Sequence, residues 1–333
     1  MKVKVAINGF GRIGRQIFKI GFDHPDLEFV AVNDLTDAES LALLLKRDSV
    51  FRKYDKEVSV DGDYIVVEDK KIKVFAEKDP SKIPWGEVGA QIVVESTGLF
   101  RSRDKAALHL RDTVKKVVIS APAKGEPADV TVVMGVNDHV YDPEKHHVIS
   151  NASCTTNAFA HLVKVVHENF KIKRGIMTTV HSYTNDQRIL DQPHRDIRRA
   201  RAAGLSMIPT STGAAKAIFS IFPELKGKLS AISIRVPTPD ASIVDFAVEV
   251  EKATSVEEVN RVYKEYANKY FGYTEEKLVS VDYIGDSHAG VFDATLTQVI
   301  DGTLLKLFAW YDNEWGYSTM LVHLLDKIAS MMK

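Results

Sequence analysis

The sequence predicts an α/β protein in two parts. The first is an open, doubly wound, mostly parallel sheet, and the second is an α+β domain on a largely antiparallel sheet. Three observations carry this. Apolar strand-like runs alternate with helical periodicity through the first half. A glycine-rich stretch, Gly9 to Gly14, joins the first such strand to the first such helix. In the second half, long strand-like runs follow one another with too few helices between them for another parallel sheet.

Taken in order, VKVAIN (3–8) alternates with period two, and 12–22 then puts Ile13, Ile17 and Ile20 on one helical face. EFVAVND (28–34) reads as the second strand and SLALLLKRD (40–48) as the second helix. Residues 60–76 read as a short antiparallel excursion. QIVVEST (91–97), KVVISAP (116–122), VTVVMG (130–135) and HVISN (147–151) are apolar runs of the kind that a parallel sheet buries on both faces. Phe159, Leu162, Val163 and Val166 then recur at helical spacing. RGIMTTVHSY (174–183), LSAISIRVP (229–237), SIVDFAVEVEK (242–252) and TLLKLFAWYD (303–312) are the later strands. Ser255-x-x-Glu258 has the pattern of a capping box. The last helix, 318–332, carries Leu321, Leu324, Leu325 and Ile328 on one stripe and is expected to pack back on the first domain.

A chain of 333 residues allows about two domains. A formal net charge of −1 gives no global steering toward nucleic acid or an acidic membrane surface. One cysteine excludes an internal disulfide and a multi-cysteine metal site, and His146-His147 lacks metal partners, so no metal is expected. No run approaches the ~18 apolar residues of a membrane span, and the N-terminus has no apolar signal region. The expectation is a soluble, cytoplasmic protein.

Gly9-Phe10-Gly11-Arg12-Ile13-Gly14 follows a strand, opens a helix, and is followed by Asp34 at the end of the next strand. Glycines there permit a tight turn and close approach of backbone to a pyrophosphate, which the helix N-terminus favours. Asp34 is placed to accept from ribose hydroxyls and would repel a 2′-phosphate, so NAD is favoured over NADP. Ser96-Thr97-Gly98 and Ser120 end two further strands, where each fits a cofactor contact and an ordinary loop equally.

Cys154 stands at the start of a helix, where the dipole and free N–H groups favour a thiolate. Lowering a thiol pKa by about two units requires ~2.7 kcal/mol of preference for the charged form. The dipole typically supplies less, so a second partner such as histidine is expected. Of the eleven histidines, His181 ends a strand and is followed by Ser182, Thr184, Asn185 and Asp186. His109, His161 and His167 read as solvated or satisfied core histidines. Spacing alone leaves a structural cysteine and an unrelated histidine as an open alternative.

The segments INGFGRIGR, VNDLTD, STGLF, SAPAK, SNASCTTN, HSYTNDQ, HRDIRRARAA, TSTGAAKA, RVPTPD and WYDNEWGYS, in that order, closely resemble the phosphorylating glyceraldehyde-3-phosphate dehydrogenase family of bacterial type over essentially the whole chain. The resemblance implies a Rossmann-type NAD-binding domain of residues 1–153, completed by the helix 317–333, and a catalytic domain of 154–316, in a homotetramer. It implies oxidative phosphorylation of glyceraldehyde 3-phosphate to 1,3-bisphosphoglycerate, with inorganic phosphate as second substrate. Cys154 would be the nucleophile and His181 its base. Thr184 and Arg235, with Asp186 nearby, would hold the substrate's phosphate. Ser153, Thr155, Arg199, Thr212 and Gly213 would hold inorganic phosphate. Arg12, Ile13, Asp34, Lys78, Ser120 and Asn313, with Tyr317 beside the nicotinamide, would contact the cofactor. Arg195, Arg198 and Arg201 read instead as a solvated or subunit-facing loop. Pro193 also favours NAD, whereas Gln192 departs from the usual apolar residue.

Three further departures stand out. Ala158 replaces a second cysteine, Phe51-Arg52 stands where relatives commonly have His-Gly, and Trp315 replaces a frequent threonine. Related erythrose-4-phosphate dehydrogenases share that tryptophan, but they tend to lose residues matching Thr184 and Gly213, which are present here. Two other rivals are weaker. Aspartate-semialdehyde dehydrogenase would not need both anion sites. A NAD-binding regulatory or RNA-associated protein would not need Cys154 and His181, and the near-neutral charge offers no dedicated nucleic-acid surface.

Overall fold

The computed structural model describes residues 2–332. The chain divides into two compact units, Met1–Val132 with Asp138–Ala152 and Ser318–Lys333, and Val133–Asn137 with Ser153–Tyr317. One boundary therefore falls one residue before the expected 153/154 and the other one residue after 316/317, and a five-residue segment of the first half groups with the second unit.

In chain order the first unit runs β1 (Val3–Asn8), α1 (Arg12–Gly21), β2 (Leu27–Asn33), α2 (Ala38–Lys46), a short pair β3 (Arg47–Asp48) and β4 (Arg52–Lys53), and β5 (Val58–Asp61). It continues through β6 (Tyr64–Val67), β7 (Lys70–Phe75), α3 (Trp85–Val88), β8 (Ile92–Glu95), α4 (Arg103–Ala106), β9 (Lys116–Ile119), β10 (Val130–Thr131) and β11 (Val148–Ser150). Among the described residues, nine strands form one sheet in the order β10-β11-β9-β8-β1-β2-β7-β6-β5. Pairing is parallel from β10 to β7 and antiparallel through β6 and β5. The 60–76 excursion thus extends the main sheet by a meander. Because β1 lies between β2 and β8, strand order reverses beside it, and the loop after β1 opens at the crevice where α/β sheets bind ligands.

Some local expectations shift. In α1, Ile17 is buried, but Ile13 and Ile20 are only half-buried. Phe18 takes over the core face, meeting Phe10 and Phe29 edge-on with centroids 5.7 and 5.5 Å away. Helix α2 stops at Lys46, because Arg47-Asp48 pairs antiparallel with Arg52-Lys53. The 130–135 strand shrinks to Val130–Thr131.

The second unit runs α5 (Cys154–Phe170), β12 (Ile172–Ser182), β13 (Ile208–Ser211), α6 (Ala214–Ile221), β14 (Leu229–Val236), β15 (Ser242–Val250) and α7 (Val256–Tyr266). It ends with β16 (Phe271–Thr274), β17 (Gly290–Asp293), β18 (Gln298–Ile300), β19 (Leu304–Tyr311) and the start of α8 (Trp315–Met332). The sheet order is β13-β14-β12-β15-β19-β17-β16, with β18 also on β19. It is largely antiparallel, but β12–β14 and β16–β17 are parallel, a mixture that the strand runs alone did not distinguish. β15 buries every second residue, Ser242, Val244, Phe246, Val248 and Val250, beneath α5, whose Phe159 packs edge-on to Phe246 at 4.8 Å. Burying each such aromatic contributes about 1.5–3 kcal/mol. At α7 only half of the expected box forms. Ser255 Oγ accepts from Glu258 N at 3.2 Å, while the Glu258 carboxylate takes the Thr254 hydroxyl instead. From Ser318 on, α8 groups with the first unit; Leu321, Leu324, Leu325 and Ile328 are fully buried, and Lys327 pairs with Asp138 at 2.8 Å.

Candidate active site

In the first unit the chain leaves β1 through Gly9, whose φ of +93° suits glycine. A Cβ there would lie 2.6 Å from Thr97 N, and one on Gly14 would lie 2.3 Å from Gly9 O, so both residues permit close packing of strand, turn and helix. Gly11 caps α1 with open space where its Cβ would be, as a diphosphate at that helix end requires. A cleft of about 770 Å³ opens here, with Gly9, Gly11, Asp34, Lys78 and Thr97 in its lining.

The Asp34 carboxylate is set by Phe10 N–H (2.9 Å) and Thr36 N–H (3.3 Å) at the end of β2. This leaves it able to accept a ribose diol and opposed to a 2′-phosphate. Phe10, Arg12, Ile13, Gly14 and Ser120 do not line the cleft. The Phe10 ring is core, Gly14 serves packing, and Ser120 Oγ donates to Ser96 Oγ at 3.0 Å. Arg12 places both terminal nitrogens 3.3 Å from the buried Asp48 carboxylate, with the Phe51 ring 6.0 Å from its guanidinium carbon. Asp48 also accepts from Val50 and Phe51 N–H. The unusual Phe51-Arg52 turn, with Arg52 at φ +68°, is thus the hairpin that holds Arg12.

Under the cleft, Glu95 receives Thr97 N–H (2.9 Å), Asn8 Nδ2 (2.6 Å) and His109 (3.0 Å). Trp85 Nε1 can only donate, so His109 accepts it at Nδ1 and donates Nε2–H to Glu95. His109 is therefore a satisfied core histidine.

In the second unit Cys154 is the first residue of α5. Ser153 caps that helix, accepting from Thr156 N at 3.1 Å. The half-buried thiol lies with Sγ 3.4 Å from His181 Nε2. His181 on β12 pairs in parallel register with Arg235 on β14, which sets the two side chains next to each other. His181 Nδ1 is 2.6 Å from Ser182 O, and Arg235 Nη1 is 2.7 Å from that nitrogen and 3.2 Å from the same carbonyl. Ser182 O can only accept and Arg235 can only donate, so the two compete for Nδ1. In the tautomer that gives Nδ1–H to Ser182 O, Arg235 keeps its bond to that carbonyl and Nε2 is left to accept from the thiol.

The electrostatics differ from the sequence expectation. Burial pushes the Cys154 thiol up, outweighing Arg235 and the Thr155 N–H, which favour the thiolate. Burial, then Arg235, lower His181 to about 3. Both shifts favour a thiol and a neutral imidazole as the resting pair. Desolvation, which only tertiary packing reveals, is added to the dipole and histidine terms that the sequence allowed for.

The remaining residues fall in two groups. Arg199 pairs with Asp186, donates Nε to Thr210 Oγ1 at 2.8 Å and Nη2 to Ser211 O at 3.2 Å. Asp186 is therefore tied to Arg199, and Arg199 also bears electrostatically on His181 and Arg235. Thr184 N–H and Oγ1 both donate to Gln187 Oε1 (3.0 and 3.1 Å). Thr212 Oγ1 accepts from Ala214 N at 3.2 Å, and Gly213 caps α6 with open space beside it. Asn313 Oδ1 accepts from Ser242 Oγ at 2.6 Å, and Tyr317 is buried in the first turn of α8. Arg195, Arg198 and Arg201 are exposed.

Two residues escaped the sequence reading. Tyr311, the tyrosine of WYD, bridges Thr155 Oγ1 (2.9 Å) and Thr179 Oγ1 (2.8 Å), with its ring 6.0 Å from and edge-on to His181. Ser242 links Ser182 N–H (3.1 Å) to Asn313. A polar residue at an inward strand position was the available signal for each.

Comparison with known proteins adds two family models. One, for the glyceraldehyde 3-phosphate dehydrogenase NAD binding domain, matches residues 3–103, and the other, for the C-terminal domain of the same enzyme, matches 153–313. The chain is 59% identical over 334 residues to glyceraldehyde-3-phosphate dehydrogenase of Geobacillus stearothermophilus, covering 99% of each chain. It is 56% identical to glyceraldehyde-3-phosphate dehydrogenase 1 of Bacillus subtilis, again over 99% of each. It is 56% identical to the Thermotoga maritima enzyme of that name, over 98% of this chain and 99% of the other.

Proposed function

The chain belongs to the glyceraldehyde-3-phosphate dehydrogenase family, and on that premise we propose that it oxidises D-glyceraldehyde 3-phosphate with NAD and inorganic phosphate to 1,3-bisphosphoglycerate, with Cys154 as nucleophile and His181 as base. The observation that carries this reading is the 3.4 Å contact between Sγ and Nε2 beside the half-buried Arg235. Arg235 Nε is buried without an acceptor among the described residues, as suits a group awaiting an anion.

An aldehyde carbon has no easy hydride to lose, so a nucleophile must first make it tetrahedral. Cys154 Sγ adds to the carbonyl carbon while its proton passes through His181 Nε2 to the carbonyl oxygen. NAD, when bound, supplies the hydride acceptor. His181 Nε2 takes the hydroxyl proton of the hemithioacetal as the hydride departs, which leaves a thioester on Cys154. The Cys154 backbone N–H favours the oxyanion on the way. Phosphate then attacks the thioester, the acyl phosphate leaves, and the released sulfur recovers its proton from His181. Thr184 and Arg235 are assigned to the substrate's phosphate. Ser153, Thr155, Arg199, Thr212 and Gly213 are assigned to the attacking one, with Asp186 holding Arg199. In the cofactor cleft, Asp34 would hold the adenosine ribose and the turn at Gly9 and Gly11 the diphosphate, with Lys78 and Thr97 in the walls. Arg12, Ile13 and Ser120, which do not line the cleft, are assigned to the cofactor by the family resemblance alone. Asn313 and Tyr317 are assigned to the nicotinamide end.

Purified protein should reduce NAD only when given both glyceraldehyde 3-phosphate and phosphate, and NADP much more slowly. Equal turnover of erythrose 4-phosphate, or indifference to phosphate, overturns the assignment.

The same reading includes a cytoplasmic homotetramer. Among the described residues no helix is long and apolar enough to cross a membrane. The second unit exposes Ile176, Ile189, Ile197, Leu205 and Met207, each by more than half of its surface. Ile176, Ile197, Pro209 and Ile232 line a shallow groove. Exposed aliphatic side chains this concentrated mark a protein contact. Light scattering on the eluting protein should give four chain masses, and a monomer at micromolar concentration would remove the oligomer from the reading.

A further inference from the structure

Two buried carboxyl groups in the second unit have no part in the chemistry above. Asp240, in the loop before β15, and Asp312, after β19, are 2% and 1% exposed, and each bears electrostatically on the other. Their surroundings are unequal. Asp312 accepts three backbone N–H groups, from Gly285 (2.7 Å), Glu314 (2.8 Å) and Trp315 (2.6 Å). Neither Asp240 oxygen receives a well-formed hydrogen bond among the described residues; the adjacent Ala241 N–H bears on it without reaching that geometry. Two carboxylates in contact repel each other, and a buried one without donors is the costlier to ionise. The proton therefore belongs on Asp240, with the Asp312 carboxylate as the acceptor it can meet.

This proton sits at a junction. Ala241, the next residue, has φ +64°, a left-handed conformation that a non-glycine residue adopts only when its surroundings hold it there. The residue after that, Ser242, receives Ser182 N–H (3.1 Å) and donates to Asn313 Oδ1 (2.6 Å). Ser182 follows His181 and supplies the carbonyl that orients its ring, and Asn313 follows Asp312.

We propose that Asp240 is a positioning residue that works as a neutral carboxylic acid, donating to Asp312 and thereby holding the 240–242 turn through which Ser242 orients the Asn313 amide and the backbone beside His181. The part concerning Asn313 rests on its assignment to the cofactor. The charged and titratable groups facing Asp240 are Asp312 and Glu314 from the β19–α8 connection and the Cys154 thiol at the head of α5. Burial, then Asp312 and Glu314, raise Asp240 to about 9, and burial raises Asp312 to about 6 against its three N–H donors.

An acid whose pKa is raised by folding keeps its proton where the unfolded chain releases it. Stability contributed by that proton is fully present below about pH 4 and is lost as pH rises through about 9. Asp240→Asn keeps a donor toward Asp312 and removes the titration. Its melting temperature should gain on that of the parent protein progressively from pH 5 to about 9. The carbonyl stretch of a protonated carboxyl group, sought by infrared spectroscopy of the parent protein at neutral pH, should vanish in the variant. Asp240→Ala, which has no donor, should raise the KM for NAD about tenfold, the scale of one hydrogen bond to a charged group, with kcat changed less, and Asp240→Asn should restore it. Parallel stability curves, an unchanged carboxyl band, or an unchanged KM in Asp240→Ala each overturn the proposal. If the parent protein does not use NAD at all, the functional reading fails, and the infrared and stability measurements still decide whether Asp240 is a neutral acid.

Discussion

Cys154→Ser should abolish NAD reduction by glyceraldehyde 3-phosphate and phosphate, by at least about 10⁴-fold, the scale at which removal of a covalent nucleophile acts. Serine keeps the size and the start of α5 but cannot form the thioester that phosphate must later cleave. Cofactor affinity, measured by quenching of protein fluorescence, should stay within about twofold, since the Asp34 cleft is built wholly from the first unit. Residual turnover above a few per cent would mean that Cys154 is not the attacking group. The chain has no other cysteine. One equivalent of a thiol reagent should therefore inactivate the native protein completely, and none should be incorporated into the serine variant.

His181→Asn should lower kcat by about 10²–10⁴, the usual contribution of a positioned acid–base group. Asparagine keeps a polar contact with Ser182 O but cannot carry a proton between sulfur and oxygen. A second readout separates proton transfer from packing. His181 is held neutral, at about 3, while its counterpart in the unfolded chain titrates near 6.5. As pH falls from about 6.5 toward 3, the unfolded state takes up a proton that the folded state refuses, so stability drains away in acid. The asparagine variant lacks that linkage. Its melting temperature, whatever its offset at pH 8, should fall less steeply than that of the parent protein between pH 6 and 4. Equal slopes would mean that His181 is not buried as a neutral base.

Much of the architecture was legible because it rests on periodicity. The strands around Val5–Ile7 and Val93–Val94 are apolar on both faces and could only be central. The β15 alternation announced a sheet covered on one side. Asp34's position beside the glycine turn was readable because that turn and the end of β2 are linked by short-range geometry. What proved illegible depends on contacts across the sheet. Nothing local tells β12 to pair in parallel with β14, yet that pairing puts Arg235 beside His181. Tyr311 looks like any inward aromatic until Thr155 and Thr179 are found around its hydroxyl. The thiol's upward shift has the same origin, since desolvation is a sum over neighbours that are distant in sequence. The Phe51-Arg52 turn had no meaning until Asp48 was seen to hold both it and Arg12.

The in-register pairing of β12 with β14 also makes the sheet a ruler. Neighbouring strands stand about 4.8 Å apart whatever their loops do, so the spacing between imidazole and guanidinium is inherited from the ladder. The long excursion between residues 183 and 207 can lengthen or shorten without changing that spacing, although Thr184, Asp186 and Arg199 within it are assigned to phosphate. Losing one residue inside Leu229–Val236 cannot be absorbed in that way, because it would turn Arg235 to the opposite face. Natural variation in this unit should therefore be length-invariant through the two strands, with insertions and deletions confined to the parts of the 183–207 excursion away from Thr184, Asp186 and Arg199.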